Sequence, residues 1–238
     1  MGIIRCMSVG QLPSFSEPVG LFPLPNAVLL PGGTLPLQVF EDRYRAMVRD
    51  AIEDQGIIAM ALLRPGYEPV YHTNRAEIYP VVCVGRINDH VQIPDGRYFI
   101  NLLGLCRARV RQEDRDGEYR IAMLDPMLPT GSGIEVDGEF AARNSLRAVL
   151  GLEQIETTDV IQRVRNLVDS ELPLGELVDR VASALLPAEM VELKQQLLEE
   201  MNPIRRAGIL THELRTLVQV MTVRQKDLDR WPRLGSMN

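Results

Sequence analysis

Side chains able to do covalent chemistry are few in this 238-residue sequence, and they stand far apart. Cys6, Cys83 and Cys106 form no CxxC pair, and His72, His90 and His212 form no HExxH and no metal-ligand spacing with a Cys or carboxylate. Cys83 and Cys106 lie in apolar runs, where thiols act as inert packing groups. Ser14, Ser16, Ser132, Ser145, Ser170 and Ser183 all lack the G-x-S-x-G elbow that exposes a nucleophile. The only lysines are Lys194 and Lys226, and neither ends the glycine-rich run with which a P-loop surrounds phosphates. Glu199-Glu200 and Asp227/Asp229 read as solvated helix positions, because adjacency in sequence does not set the separation that acid–base work needs. We therefore assign no catalytic residue, no cofactor-binding residue and no metal ligand, and we expect a protein that is not an enzyme.

One basic cluster stands out. Arg107, Arg109 and Arg111 alternate along a predicted strand, so they project from one sheet face and could contact RNA phosphates. The plain reading is a solvated face beside Glu113, Asp114, Asp116 and Glu118. Net charge decides between them: 26 Lys+Arg against 32 Asp+Glu give −6, and neither half of the chain is basic. Nucleic acid is not the expected partner.

Composition is that of a folded globular protein, 45% apolar and 24% charged. No apolar run reaches the roughly 18 residues of a membrane span, and the first 20 residues hold no export signal. With three widely spaced Cys and no disulfide framework, the sequence reads as cytoplasmic, with no membrane partner.

The elements that must position any site come in two textures. Pro and Gly punctuate the chain densely through Pro129 and sparsely afterwards, which predicts short strands first and long helices second. Predicted strands cover residues 19–24, 27–30, 34–40, 57–63, 78–87, 91–93, 98–103, 106–112 and 119–124. Among them, Phe40, Tyr44, Met47, Val48, Ala51 and Ile52 recur at helical spacing and predict one helix over 40–54. Glu41–Arg45 and Arg49–Glu53 are its expected ion pairs, and Gly56 its expected cap. The Gly/Ser/Asp-rich segment 128–138 reads as a linker, with the boundary near 130. Beyond it we expect about five helices, with apolar faces that include Val160/Val164/Val168, Leu174/Leu177/Val181, Leu193/Leu197 and Leu210/Leu214/Met221. Pro187 and Pro203 each stand where a first helical residue would, the latter behind the N-cap Asn202.

The stretch Leu21-Phe-Pro-Leu-Pro-Asn-Ala-Val-Leu-Leu-Pro-Gly-Gly-Thr-Leu-Pro-Leu-Gln-Val-Phe-Glu-Asp-Arg-Tyr-Arg45 resembles the opening of the N-terminal, substrate-binding domain of Lon proteases. Val84-Gly-Arg-Ile87, Ile93-Pro-Asp-Gly-Arg97, Gly104-Leu-Cys-Arg107, Leu193-Lys-Gln-Gln-Leu-Leu-Glu-Glu200 and Arg205-Arg206 continue the likeness over about residues 18 to 220. It implies an α+β chain: a PUA-like β-rich pseudo-barrel with one helix (18–129), then a helical bundle (130–225), with tails at 1–17 and 226–238. A full Lon protease continues into an ATPase module with a P-loop and a protease domain with a Ser–Lys dyad, which this sequence does not reach. The resemblance thus implies a stand-alone, non-catalytic module that binds exposed or unfolded polypeptide segments in protein quality control.

Proline-interrupted strands offer backbone donors and acceptors that can take an extended chain by strand addition. The candidate peptide-binding residues are Phe22, Leu24, Val39 and Phe40, with Glu41, Arg43 and Arg45 at the helix start. The plain alternative makes Phe22, Val39 and Phe40 core and leaves Arg45 only an ion-pair partner. Arg107, Arg109 and Arg111 carry the rival reading, an RNA-binding PUA-like module. Oligomeric state is left open.

Overall fold

The computed structural model describes residues 15–127, 136–152, 155 and 157–230, with side chains for all of these except 136 and 221–230. Cys6, Ser14, Ser132, the expected boundary near 130, much of the two tails and the side chain of Met221 lie outside the described residues. In chain order come β1 (Val19–Leu24), β2 (Thr34–Val39), α1 (Asp42–Glu53), β3 (Ile57–Leu62), β4 (Val81–Gln92), β5 (Tyr98–Asp114) and β6 (Ile121–Met127). Then follow α2 (Val136–Leu150), α3 (Asp159–Val168), α4 (Leu174–Leu185), α5 (Val191–Glu199) and α6 (Pro203–Arg230). The chain is α+β, as expected.

The strands form one sheet in the order β2-β5-β4-β3-β1-β6, and β6 pairs in turn with β5. The circuit β5–β4–β3–β1–β6 therefore closes on itself, with β2 left at an edge. The length of β5 makes this possible: Tyr98–Leu103 pair with β2 and Arg107–Asp114 with β6, while β4 runs along the other side. Register shifts at Val84/Gly85, Ile87/Asp89 and Val110/Gln112 supply curvature that a flat sheet lacks. Among the described residues only β1 and β3 pair in parallel, because α1 lies between them in the chain and returns it to the same end.

Three strand expectations change. β4 and β5 are each continuous where the sequence suggested two short strands, since their interruptions at Asn88–His90 and Gly104–Leu105 are absorbed by irregular pairing. Residues 27–30 form no strand. Leu29 and Leu30 are instead buried side chains on a loop that crosses β5 at Gly104, where an added Cβ would stand 2.2 Å from the Leu30 carbonyl oxygen. Gly32 N–H donates to Gly104 O and Gly104 N–H to Gly33 O, both at 2.9 Å, so these backbone groups are satisfied without a strand ladder.

Helix α1 begins after Glu41, whose extended backbone (ψ 135°) ends the strand-like run. It buries Tyr44, Ala46, Met47 and Val48, and Gly56 closes it at φ +70° by donating to Ala51 O at 2.7 Å. The helical segments group unevenly. One compact unit is residues 1–130 with 185–199, and the other is 131–184 with 200–238, so α5 groups with the strands and interrupts the helical region expected over 130–225. Pro187 lies in a turn four residues before α5 and does not start it, whereas Pro203 opens α6 as expected. Asn202 caps α6, its Oδ1 accepting from Ile204 N at 2.9 Å and Arg205 N at 3.1 Å. α6 runs through Arg230, past the end expected at 225.

In the strand-rich unit Leu21, Ala59, Val82, Val84, Ala108 and Leu124 form the centre of the core. In the second unit Leu146, Val149, Val164, Leu177, Val181 and Leu210 are fully buried. Val160, expected on the inner face of α3, is exposed because it sits in that helix's first turn.

Candidate functional site

The seven candidate residues separate sharply. Phe22 and Val39 are 3% and 1% exposed and belong to the core. Phe22 packs its ring 4.4 Å from that of Tyr44, whose hydroxyl donates to Pro23 O at 3.2 Å. Burial pushes that hydroxyl well above the ordinary phenol range. Leu24 is half-buried at the end of β1. Phe40 alone stands out, at 62% exposed. It precedes the Glu41 cap and so lies outside α1, which is why its helical spacing to Tyr44 did not bury it.

Glu41 and Arg43 form a strut. Arg43 pairs with Glu41 at 2.8 Å, donates to Tyr71 O and Thr73 O at 2.9 Å each, and lies over the Tyr44 ring at 4.4 Å. Tyr71 donates its hydroxyl to the same Glu41 at 3.2 Å, and burial followed by the Glu41 charge pushes its pKa above the ordinary phenol value. These groups tie the start of α1 to the 66–80 segment. Arg43 stands two residues from the non-helical Glu41, so it takes the partner expected for Arg45. Arg45 pairs with Asp42 at 2.9 Å and lies against Gly96, which has φ +84° and where a Cβ would come within 2.2 Å of the guanidinium. Arg49 likewise pairs with Asp50, not Glu53.

Around Phe40 the sheet adds what the sequence did not single out. Gln38 of β2, Phe99 of β5 and Val91 of β4 are direct cross-strand partners, so their side chains share one face. Phe99 is 45% and Val91 56% exposed. With Pro36 and Asn101 one pair further along, and the exposed Asp89 opposite Asn101, this face carries a largely apolar row bounded by one carboxylate. Alternation within β5 contained the signal: Tyr98, Ile100 and Leu102 are buried, which sends Phe99 outward. A strand with apolar residues on both faces does not say in sequence which face is open.

The arginine cluster divides as well. Arg107 is buried, donating to Leu198 O at 2.9 Å and Leu197 O at 3.2 Å. It thereby closes the C-terminus of α5, where a cation offsets unsatisfied carbonyls. Gln195 of α5 donates to Val81 O at 3.0 Å, a second tie to the sheet. Arg109 and Arg111 are exposed, and Arg111 lies 3.5 Å from Asp125. A three-arginine face is not presented.

Reactive groups are muted by burial. Cys83 and Cys106 are buried thiols in no disulfide, and desolvation pushes the Cys106 thiol up to about 11 despite the charge of Arg107. Sequence reasoning also missed Arg120, which is 1% exposed, donates to Ala76 O at 2.7 Å and pairs with Glu113. Glu113 also takes Arg115 at 3.0 Å, so the buried charge is compensated. A shallow cleft of about 130 Å³ beside α1 is lined by Glu17, Asp50, Asp54 and Tyr119 over Met47 and Ile57. Among the described residues no group of three or more His, Cys, Asp or Glu could hold a metal ion, and no helix is long and apolar enough to cross a membrane.

The profile of the ATP-dependent protease La (LON) substrate-binding domain matches residues 18–216. A Lon protease of Anaeromyxobacter dehalogenans is 26% identical over 87% of this chain, and Lon protease 2 of Myxococcus xanthus 27% identical over the same share. The chain spans about a quarter of the length of these relatives, 24% in each case. Among solved structures, a Lon N-terminal domain protein from Xanthomonas campestris superposes with a TM-score of 0.56 at 24% identity, covering 82% of this chain and 96% of that one. The N-terminal domain of a Mycobacterium avium complex Lon protease gives 0.64 at 16% identity, covering 83% and 98%. At these identities the structural likeness speaks for the fold, and the profile match over residues 18–216 for the family: the chain belongs to the Lon substrate-binding domain family.

Proposed function

We propose that this chain is a non-catalytic recognition module that binds exposed or unfolded polypeptide segments of other proteins, acting in protein quality control in the cytoplasm. Family membership supplies the substrate class, and one observation carries the reading for this chain. Val91 and Phe99 on the sheet, and Phe40 just beyond the end of β2, are left exposed in a unit whose other large apolar side chains are mostly covered. Such an apolar face marks a contact surface. The closed strand circuit fits a PUA-like pseudo-barrel, with Phe99 and Val91 on strands that cannot shift without breaking it. Glu41, Arg43 and Arg45 act in this reading by fixing the end of β2 and the turn beside it. Phe22 and Val39 support it from the core. The RNA-binding alternative loses Arg107, whose donors are engaged with α5.

The test is a titration of a fluorescently labelled, reduced and alkylated protein that cannot refold, against the same protein in its folded form. Saturable binding of the unfolded form without nucleotide is expected, at a dissociation constant on the order of micromolar because ordering a flexible chain opposes the contacts. A signal that does not saturate, or that vanishes with moderate salt, contradicts the reading.

A further inference from the structure

Strand β2 is an edge strand of an unusual kind. Among the described residues its single strand neighbour is β5. Edge strands are ordinarily guarded by charged side chains, by proline, or by a covering loop. The sequence of β2, Thr34-Leu-Pro-Leu-Gln-Val39, contains no ionisable residue in a chain that is 24% charged. Its one guard is Pro36, which removes a single backbone donor.

Among the described residues, burial along the strand leaves one of its faces open and the other partly covered. Thr34, Pro36 and Gln38 are exposed on one face. On the other face Val39 is fully buried, yet Leu35 and Leu37 are only half covered. A further strand beside β2 would complete their burial on that face and lie next to the Gln38–Phe99–Val91 row on the opposite one. Of the charges at this end of the sheet, Glu41 pairs with Arg43 at 2.8 Å and Asp95 with Arg97 at 2.6 Å, while Asp89 stands exposed on β4 opposite Asn101, beyond the Phe99 row. A charged side chain entering over Leu35, Leu37 or Phe99 would lose hydration against apolar neighbours. An apolar one would lose none.

Resting on the polypeptide-recognition reading, we infer that the free edge of β2 is where the bound segment pairs. It lies there as an added strand, and the site selects uncharged stretches of about six residues. At roughly 3.3 Å per residue the occupant spans about 20 Å, the length of β2. Its backbone supplies the pairing, and apolar side chains on its two faces meet Leu35/Leu37 and the Phe99 row.

Alternate N-methylation tests this, because an added strand directs every second amide to β2 and the rest to solvent. The probe is an uncharged decapeptide of alternating Val and Thr with one central Phe, together with two versions methylated on either alternate set of amides. One methylated version should bind more than 20-fold more weakly and the other within about 3-fold of the parent. Those β2 amides outside the β5 ladder should exchange at least 10-fold more slowly when the parent is bound. Equal weakening by both methylation patterns, or binding with unchanged exchange in β2, would place the segment elsewhere and overturn the inference while leaving polypeptide recognition standing. Unfolded protein that binds while the decapeptide does not would overturn it equally. Failure of both probes removes the recognition reading itself. Exchange in β2 that slows with protein concentration, without peptide, would assign the edge to a second copy of this chain and also end the inference.

Discussion

At the residue scale, burial decides what each polar or reactive side chain does. Cys106 illustrates it: the fold keeps its thiol protonated up to about 11, whereas an exposed thiol ionises near 9.0. Between these values the unfolded chain binds fewer protons than the folded one, so stability falls as pH rises through that window. Urea unfolding at pH 8 and pH 10.5 checks this. The wild-type chain should lose about 1–2 kcal/mol more than Cys106→Ala over that interval. Equal losses would mean that the thiol is not held in its neutral form. Tyr119, pushed up to about 12 by burial and its hydrogen bond to Asp50, continues the same trend at higher pH in both proteins.

At the element scale, much of the fold was legible. The periodicity of Tyr44, Met47 and Val48 located α1, and Asn202-Pro203 located the start of α6, because helical spacing and capping are local signals. Long-range partners were not legible. Nothing local says that β5 serves β2 with one half and β6 with the other, or that Arg107 reaches across 91 residues to cap α5. The alternation of Arg107, Arg109 and Arg111 was read correctly as a strand, but a sequence does not reveal that a helix covers one end of it. Phe99 was hidden for the same reason, its exposure being set by which face of β5 the core occupies. Arg107→Leu should leave the carbonyls of Leu197 and Leu198 without their donor, destabilising α5 by about 1–3 kcal/mol. Amide exchange over residues 191–199 should accelerate at least 10-fold, with β3 and β4 unaffected. Unchanged exchange in α5 would show that Gln195 and apolar contacts suffice to hold it.

At the scale of the whole molecule, a chain of net charge −6 leaves exposed apolar side chains, Phe40, Val91 and Phe99, at one end of its sheet. Such a surface does not attract partners over distance, so contact and desolvation must supply the affinity. Exposure of an aromatic ring is not sufficient by itself, since Phe140 of the second unit is 67% exposed, more than the 45% of Phe99. The comparison between these two positions is therefore the sharpest measurement. A photo-crosslinking phenylalanine analogue placed at position 99 or at position 140 is irradiated with a polypeptide that cannot fold. Efficient crosslinking is expected from 99, suppressed by excess unlabelled unfolded polypeptide, and only background from 140. Equal yields from the two positions, or a higher yield from 140, would contradict it.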